Sequence, residues 1–165
     1  MKKMMMLLVL ALFAAAAAAD DAAKRPAPEH GVICFTFDDR NFDDWIAALP
    51  IFRKYDAKVT FFVCGKIDAA AAEKLKMLKA EGHAVGSHSL NHKAVPAPAE
   101  LGKYVEENIV PQLEQFKAAG IEVTSFAYPY SRRSGASDKA LGEFFRHMRG
   151  GIFPPKGKTD RKSVV

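Results

Sequence analysis

The chain has 165 residues, of which 49% are hydrophobic and 26% charged, which is typical of one folded domain and argues against a disordered or fibrous chain. Its formal net charge is +5, and the basic residues are scattered along the sequence. A nucleic-acid partner requires a clustered basic face with aromatic residues that stack on bases, so we expect no nucleic-acid partner.

The first residues have the pattern of a secretory signal peptide. Two lysines precede an apolar run at 4–13, and an Ala-x-Ala cleavage site follows at 17–19. We therefore expect removal of residues 1–19 on export, which predicts a periplasmic or secreted protein. The apolar run has about half of the roughly 20 residues that a membrane span needs, so we expect no stable membrane anchor after cleavage. Residues 20–29 are rich in Pro and Ala and are interpreted as a linker.

The remaining residues, 30–165, are assigned to one domain in which short β-branched and aromatic runs alternate with longer amphipathic stretches. The predicted strands are 32–38, 59–64, 84–88, 123–128 and a weak one at 151–153. The predicted helices are 42–55, 69–80, 98–119 and 137–148, and Pro111 is expected to break the third of them. Strands that alternate with helices are typical of a parallel sheet with right-handed crossovers, so we predict an α/β fold.

The number of strands limits the architecture. A closed (β/α) barrel needs about eight strands and about 250 residues, whereas about five strands are readable in this sequence. We expect either an open sheet or the front portion of a longer barrel domain that is truncated at its C-terminus.

The two cysteines, Cys34 and Cys64, are predicted to be buried free thiols. Cys34 is expected deep in the first strand and Cys64 at the end of the second. Four strand residues separate their levels by about 13 Å, which exceeds the roughly 7 Å allowed between the Cα atoms of a disulfide.

Polar residues follow the first, third and fourth predicted strands, where the loops of a parallel α/β fold collect functional groups. The first strand ends in Asp38 and Asp39, a pair that by itself is also explained by turn formation or helix capping. The third strand leads into His88 and His92, and the fourth ends in a Tyr-Pro-Tyr sequence at 128–130.

The two histidines favour a metal site. Their spacing of four lets both imidazoles reach one ion if the chain turns after the strand. Two imidazoles and one carboxylate leave a coordination position for water, as a catalytic metal requires, and a second carboxylate can then act as general base. His30, His83 and His147 lack such a context and are interpreted as structural residues.

These three motifs, over about 32–130, resemble the polysaccharide deacetylases of carbohydrate esterase family four. The resemblance implies a distorted (β/α) barrel that removes acetyl groups from an N-acetylated, less often O-acetylated, polysaccharide with zinc or another divalent transition metal. It implies that Asp38 is the base and that the metal ligands are Asp39, His88 and His92. It further implies that Pro129 and Tyr130 line the acetyl pocket, with the Tyr130 backbone N–H helping to hold the oxyanion.

The sequence also departs from the family. An arginine that contacts the base is common in the third motif, but Ser125 and Phe126 occupy that region, and Ser131 stands where Gly usually follows the tyrosine. No Leu-x-His that would supply the general acid follows Tyr130, and His147 is not assigned that role. Two alternatives therefore stay open: a non-catalytic glycan-binding protein, and a truncated, inactive deacetylase fragment. The polymer and the oligomeric state are not determined.

Overall fold

The computed structural model describes residue 31 and residues 33–151. The predicted signal peptide, 1–19, and linker, 20–29, lie outside the described residues. All helices and strands described below belong to one compact unit, which begins at Cys34.

Five parallel strands form a single sheet in the order β1-β2-β3-β4-β5. Their bounds are β1 Thr36–Asp39, β2 Thr60–Val63, β3 Ala84–Ser87, β4 Ser125–Ala127 and β5 His147–Arg149. A strand order that follows the chain order is that of a (β/α) barrel, whereas doubly wound sheets reverse direction at a switch point. The predicted α/β fold with about five strands of a barrel is therefore confirmed.

The helices between the strands match the prediction at 69–80 and are shorter or divided elsewhere. Their bounds are α1 Phe42–Ala47, α2 Leu49–Lys54, α3 Ala69–Ala80, α4 Leu101–Tyr104, α5 Val110–Ala118 and α6 Gly135–Leu141. The single helix predicted at 42–55 is wrong, because Pro50 has no N–H to continue the hydrogen bonds of α1 and instead occupies the first turn of α2. Among the described residues, no helix is both long and apolar enough to span a membrane.

Pro111 marks an irregularity, but it does not break the chain into two separate helices. Val105–Ile109 forms a π-helical segment between α4 and α5, and Pro111 lies in the first turn of α5. A π-helical turn changes the hydrogen-bond pairing, so a residue without an N–H is accommodated while the helical path continues.

Strand β2 is the centre of the larger core. Its Thr-Phe-Phe-Val sequence is buried on both faces, as expected for a strand inside a parallel sheet. Phe61 packs against Trp45, Phe52 and Phe37. A second core lies beside β4, where Phe126 stacks on Phe145. Both cores lie between the sheet and its helices and position the strand ends.

The first strand is shorter than predicted, which changes the environment of the cysteines. β1 begins at Thr36, so Cys34 precedes the sheet and is exposed, while Cys64 follows β2 and is half-buried. Both thiols are free, as predicted, but the prediction that both are buried is wrong. Burial nevertheless raises the pKa of the Cys64 thiol, and the negative charge of Asp39 acts in the same direction.

The end of the described chain differs most from the prediction. The helix predicted at 137–148 ends at Leu141, and its last residues form β5, which pairs with β4. The strand predicted at 151–153 is not formed at Gly151, and residues 152–153 lie outside the described residues. Pairing with β4 and burial of Phe145 against Phe126 outweigh the helical periodicity of this segment.

A buried glutamine of α5, Gln112, stabilises the loop that follows β3 through hydrogen bonds. The Gln112 amide nitrogen lies 3.0–3.2 Å from the carbonyl oxygens of Val63, Gly65 and Ser89, and its oxygen accepts a hydrogen bond of 2.6 Å from the Ser87 hydroxyl. The side chain is fully buried, so water does not replace these bonds.

We predict that Gln112→Met lowers the free energy of unfolding by about 2–4 kcal/mol, because a buried side chain of similar length then leaves several polar groups without partners. Chemical denaturation monitored by circular dichroism measures the loss. The control is Gln115→Met, in the same helix, where one hydrogen bond from the Ile67 N–H is lost and about 1 kcal/mol is expected. Equal losses in both variants would contradict this role for Gln112.

Candidate metal centre

The predicted site residues converge at the carboxyl ends of the strands. Asp38 and Asp39 close β1, His88 directly follows β3, and His92 lies in the loop after it. That loop is tied to its surroundings by backbone hydrogen bonds from the His88 N–H to Val63 and from the Leu90 N–H to Asn108. The third predicted strand end, at Pro129 and Tyr130, reaches the same place, because the Tyr130 ring lies 4.8 Å from the His92 ring.

Three of these side chains are arranged as ligands of one ion. One ligand atom each from Asp39, His88 and His92 lies within 4.8 Å of the others. The Nε2 atoms of the two histidines are 3.1 Å apart, and Asp39 Oδ1 is 3.3 Å from His92 Nε2 and 3.9 Å from His88 Nε2. Ligands of tetrahedral zinc, with bonds of about 2.0–2.2 Å, are separated by about 3.4 Å. The donor set therefore fits a divalent transition metal.

The environment of His88 prepares its Nε2 atom for a metal. The ring is buried, and Nδ1 lies 2.8 Å from the Ala127 carbonyl oxygen, to which it donates as an N–H. This hydrogen bond leaves the lone pair on Nε2, as in most metal-bound histidines. Burial lowers the pKa of His88, so the ring is neutral at neutral pH and no proton competes with a metal at Nε2.

Asp38 lies beside the three-ligand cluster and has a different partner. Both of its carboxylate oxygens accept hydrogen bonds from the Arg149 guanidinium of β5. An arginine therefore contacts the expected base, although the sequence lacks one at Ser125 and Phe126. Sequence reasoning missed Arg149 because it placed a helix at 137–148, directly before this residue, where the structure has β5. In the sequence, the only indication was that Arg149 is a cationic residue able to pair with a carboxylate. Its contact with Asp38 depends on the pairing of β4 with β5, which the sequence pattern did not predict.

The backbone at the site is held in an uncommon conformation. Among the described non-glycine residues, six have a positive φ, and all except Asp56 lie at the end of β1 or in the segments that carry the site: Asp39 at 81°, Ser89 at 65°, His92 at 49°, Tyr130 at 56° and Ser131 at 55°. Such residues are rare because the side chain approaches the backbone, and they concentrate at functional sites. The folded structure therefore imposes strain where the predicted ligands lie.

The remaining predicted residues differ in exposure. Pro129 is buried, whereas Tyr130 is 66% exposed and stands at the rim of the site. His83 is buried and its Nδ1 accepts a hydrogen bond from the Val59 N–H, which agrees with its structural interpretation. His147 is exposed and begins β5, so it lies at the amino end of a strand whose carboxyl end faces the site. His30 lies outside the described residues.

We predict that Ser131→Gly stabilises the protein by about 0.5–1 kcal/mol. Ser131 has a φ of 55°, which glycine adopts without the steric cost that a side chain meets. The rise in melting temperature measures the effect. The control is Arg132→Gly, where φ is −73° and no steric cost is relieved. Glycine there only raises the conformational entropy of the unfolded chain, so this variant should melt below the wild type. A Ser131→Gly variant that melts below the wild type would show that φ is not the source of strain.

Sequence comparison assigns most of the chain to one family. The family described as polysaccharide deacetylase matches residues 25–148. A chitin deacetylase of Arthroderma benhamiae is 32% identical over 123 residues, which cover 72% of this chain and 33% of that protein. The chain thus spans about a third of the length of this curated relative.

Structural comparison agrees on the fold. A Streptococcus pyogenes deacetylase in complex with acetate aligns with a TM-score of 0.60 at 23% identity, covering 73% of this chain and 56% of that one. A CE4-family pseudoenzyme from Bacillus anthracis aligns with a TM-score of 0.59 at 21% identity, covering 74% of this chain and 44% of that one. At these identities the likeness concerns the fold. The family match over most of the chain shows that the protein belongs to the polysaccharide deacetylase family.

Proposed function

We propose that the protein is a metal-dependent hydrolase that removes acetyl groups from an N-acetylated, or less often O-acetylated, polysaccharide. The observation that carries this proposal is the convergence of Asp39, His88 and His92 beside an unligating carboxylate, Asp38. Membership of the family and the chitin deacetylase relative support an amide-bonded acetyl group on an amino sugar as the substrate.

The three ligands would hold one divalent cation, and zinc suits two imidazoles and a carboxylate best. When bound, such a cation supplies Lewis-acid activation of water and of the acetyl carbonyl. The protein contributes the shape of the cluster. His88 is fixed by its hydrogen bond to Ala127, and the left-handed backbone at His92 directs the second imidazole to the first.

Asp38 is positioned to accept the proton of the attacking water. One of its oxygens lies 3.9 Å from His88 Nε2, next to the metal cluster, and its side chain remains 33% exposed, so water reaches it. In the proposed reaction, Asp38 takes this proton while the Tyr130 backbone N–H helps to hold the oxyanion of the tetrahedral intermediate. Pro129 and Tyr130 line the acetyl pocket. As the amide C–N bond breaks, the leaving nitrogen takes up a proton from water, and acetate and a free amine are released.

The proposed substrate and compartment are consistent with each other. The signal-peptide pattern at 1–19 supports export to the periplasm or the medium. Acetylated structural polysaccharides occur outside the cytoplasm, so we propose such a polymer as the partner. No nucleic acid and no stable membrane anchor belong to this proposal.

A non-catalytic glycan-binding role is the second candidate. Apart from the two proposed ligands, the histidines of the described chain are His83, which is buried and bonded to Val59, and His147, at the amino end of β5. Neither supplies a general acid at the site. This role requires oligosaccharide binding without acetate release, so calorimetry combined with an acetate assay separates it from catalysis.

We predict that the wild type binds about one zinc ion per chain and that His88→Ala weakens zinc binding by about 100-fold or more. Loss of a partner in the outer shell of a metal site alone costs about 10–100-fold, and loss of a ligand costs more. Isothermal titration calorimetry measures both values. The control is His147→Ala, which removes an exposed imidazole outside the cluster and should leave zinc binding unchanged. Equal affinity in the two variants would exclude His88 as a ligand.

We predict that Asp38→Ala lowers acetate release from N-acetylglucosamine oligomers by about 100- to 10,000-fold, the range for loss of a general base. Zinc stoichiometry should stay near one, because Asp39 and both histidines remain. The control is Asp44→Ala, which removes an exposed carboxylate in the first turn of α1 and should keep wild-type turnover. Acetate release by Asp38→Ala at the wild-type rate would remove Asp38 from the mechanism.

A further inference from the structure

Charged residues are distributed unequally between the two ends of the sheet. Five lysines and arginines and one acidic residue lie in the described loops at the carboxyl ends of the strands, which are 40–41, 64–68, 88–97, 128–134 and 150–151. Two lysines and arginines and four acidic residues lie in the described loops at the amino ends, which are 34–35, 55–59, 81–83, 119–124 and 142–146. The loops around the candidate metal centre are therefore the basic ones.

Two of the five cations in these loops are used in ion pairs within the protein. The Arg40 guanidinium lies 3.3 Å from the Asp68 carboxylate, and Arg133 Nε lies 2.9 Å from the carboxylate of Asp138 in α6. The other three are exposed, and none of them forms an ion pair with another described residue: Lys66, Lys93 and Arg132. Ion pairing within the described chain therefore does not account for these three charges.

The three unpaired cations belong to loops that are connected to the metal centre. Lys93 directly follows His92. Arg132 follows the turn of Tyr130, whose ring lies 4.8 Å from the His92 ring. Lys66 lies in the loop after β2, and the residue before it donates its backbone N–H to the loop that carries both histidines. The charges are therefore placed on three different sides of the sequence segments that form the centre.

Metal binding does not explain this arrangement. A cation without an acidic partner repels a dication, so these residues lower the metal affinity of the cluster. The same charges attract an anion to this end of the sheet and accelerate its approach. The arrangement therefore favours a negatively charged ligand that lies across the loops.

The separation of the cations favours single charges that are spread along a polymer. Phosphate is commonly bound where several donors meet at one point, such as a helix N-terminus or a pair of arginines. Lys66, Lys93 and Arg132 instead follow three different strands, so each of them can meet a separate anionic group. Carboxylates on successive sugars of a polysaccharide provide such groups.

We propose that Lys66, Lys93 and Arg132 select an acidic polysaccharide, in which N-acetylated amino sugars stand beside sugars that carry a carboxylate. Turnover of this polymer rests on the deacetylase function proposed above, whereas the binding preference does not. One sugar presents its acetyl group to the metal centre, and the carboxylates of neighbouring sugars contact the cations of the surrounding loops. A neutral polymer of N-acetylglucosamine lacks these contacts and therefore binds more weakly.

Isothermal titration calorimetry tests the preference with two hexasaccharides. One contains N-acetylglucosamine alone, and the other alternates N-acetylglucosamine with glucuronate. The zinc-loaded Asp38→Ala variant serves as the binding protein, so that the ligands are not consumed. We expect the glucuronate hexasaccharide to bind about ten-fold or more tightly than the neutral one at low salt, and to lose most of this advantage at about 0.5 M salt, because salt screens exposed charges.

Two outcomes of this titration would contradict the proposal. Equal affinity for the two hexasaccharides at low salt would overturn it. Tighter binding of an N-acetylglucosamine hexasaccharide that carries phosphates in place of carboxylates would overturn the choice of a carboxylate polymer.

A triple variant locates the preference on the three loops. Lys66→Gln, Lys93→Gln and Arg132→Gln together should bring the ratio of the two affinities to about one, and Lys93→Gln alone should lower it about three-fold, as expected for exposed charge pairs. All three residues are exposed, so the melting temperature should change little. If the triple variant does not fold, the three single variants carry the test.

A matched triple variant controls for total charge. Lys58→Gln, Lys117→Gln and Arg146→Gln remove the same charge from exposed residues at the amino ends of the strands. This variant should keep the original ratio of affinities. An equal loss in both triple variants would show a general charge effect and overturn the proposal.

Acetate release by the zinc-loaded wild type separates this inference from the proposed function. We expect a lower KM for the glucuronate hexasaccharide than for the neutral one, because the cations contribute to substrate binding. Acetate release from both hexasaccharides with the same KM would overturn the inference and leave the deacetylase function standing. Preferential binding of the glucuronate hexasaccharide without acetate release from either one would overturn the deacetylase function and support the preference for an acidic glycan.

Discussion

The contact between Arg149 and Asp38 joins the two edge strands of the sheet. In the order β1-β2-β3-β4-β5, these residues belong to strands at opposite edges, yet their side chains meet. A flat sheet would place strands four positions apart at about 19 Å, so the sheet must curl for this ion pair to form. The same curl brings the loops after β1, β3 and β4 around one point. The candidate metal centre therefore depends on the curl of the sheet, which brings the strand ends together.

The loop after β3 shows how this arrangement is maintained. Its backbone includes the positive φ values of Ser89 and His92, which are unfavourable for residues with side chains. Gln112 offsets this cost through buried hydrogen bonds to the carbonyl groups of Val63, at the end of β2, and Ser89, in the loop itself. The Asn108 carbonyl of the π-helical segment accepts a further hydrogen bond from the Leu90 N–H. Helical residues distant from the ligands thus hold the two imidazoles 3.1 Å apart. The hydrogen bonds of Gln112 and Asn108 thus stabilise the same loop in which Ser89 and His92 have unfavourable φ values.

Electrostatics at the site follow from burial and from the division between two carboxylates. Burial keeps His88 neutral, and its Ala127 contact selects the nitrogen that faces the cluster. Asp39 faces the imidazoles, while Asp38 faces a guanidinium. Neighbouring residues in the sequence therefore acquire different surroundings, which is the usual way in which two identical side chains take different chemical roles.

The sequence by itself determined the parallel α/β organisation and placed His88 and His92 with the pair Asp38 and Asp39 as candidate site residues, while the choice of Asp39 as the ligand followed from the family resemblance. Hydrophobic periodicity marked the strands, and the carboxyl ends of parallel strands share one edge, so polar residues placed there must be neighbours. Only the tertiary structure decided where β5 lies and that Arg149 faces Asp38. Residues 142–149 carry apolar side chains compatible with either a helix or a strand, and pairing with β4 selected the strand. Contacts across a curled sheet depend on strand register and curvature, which local sequence patterns do not encode.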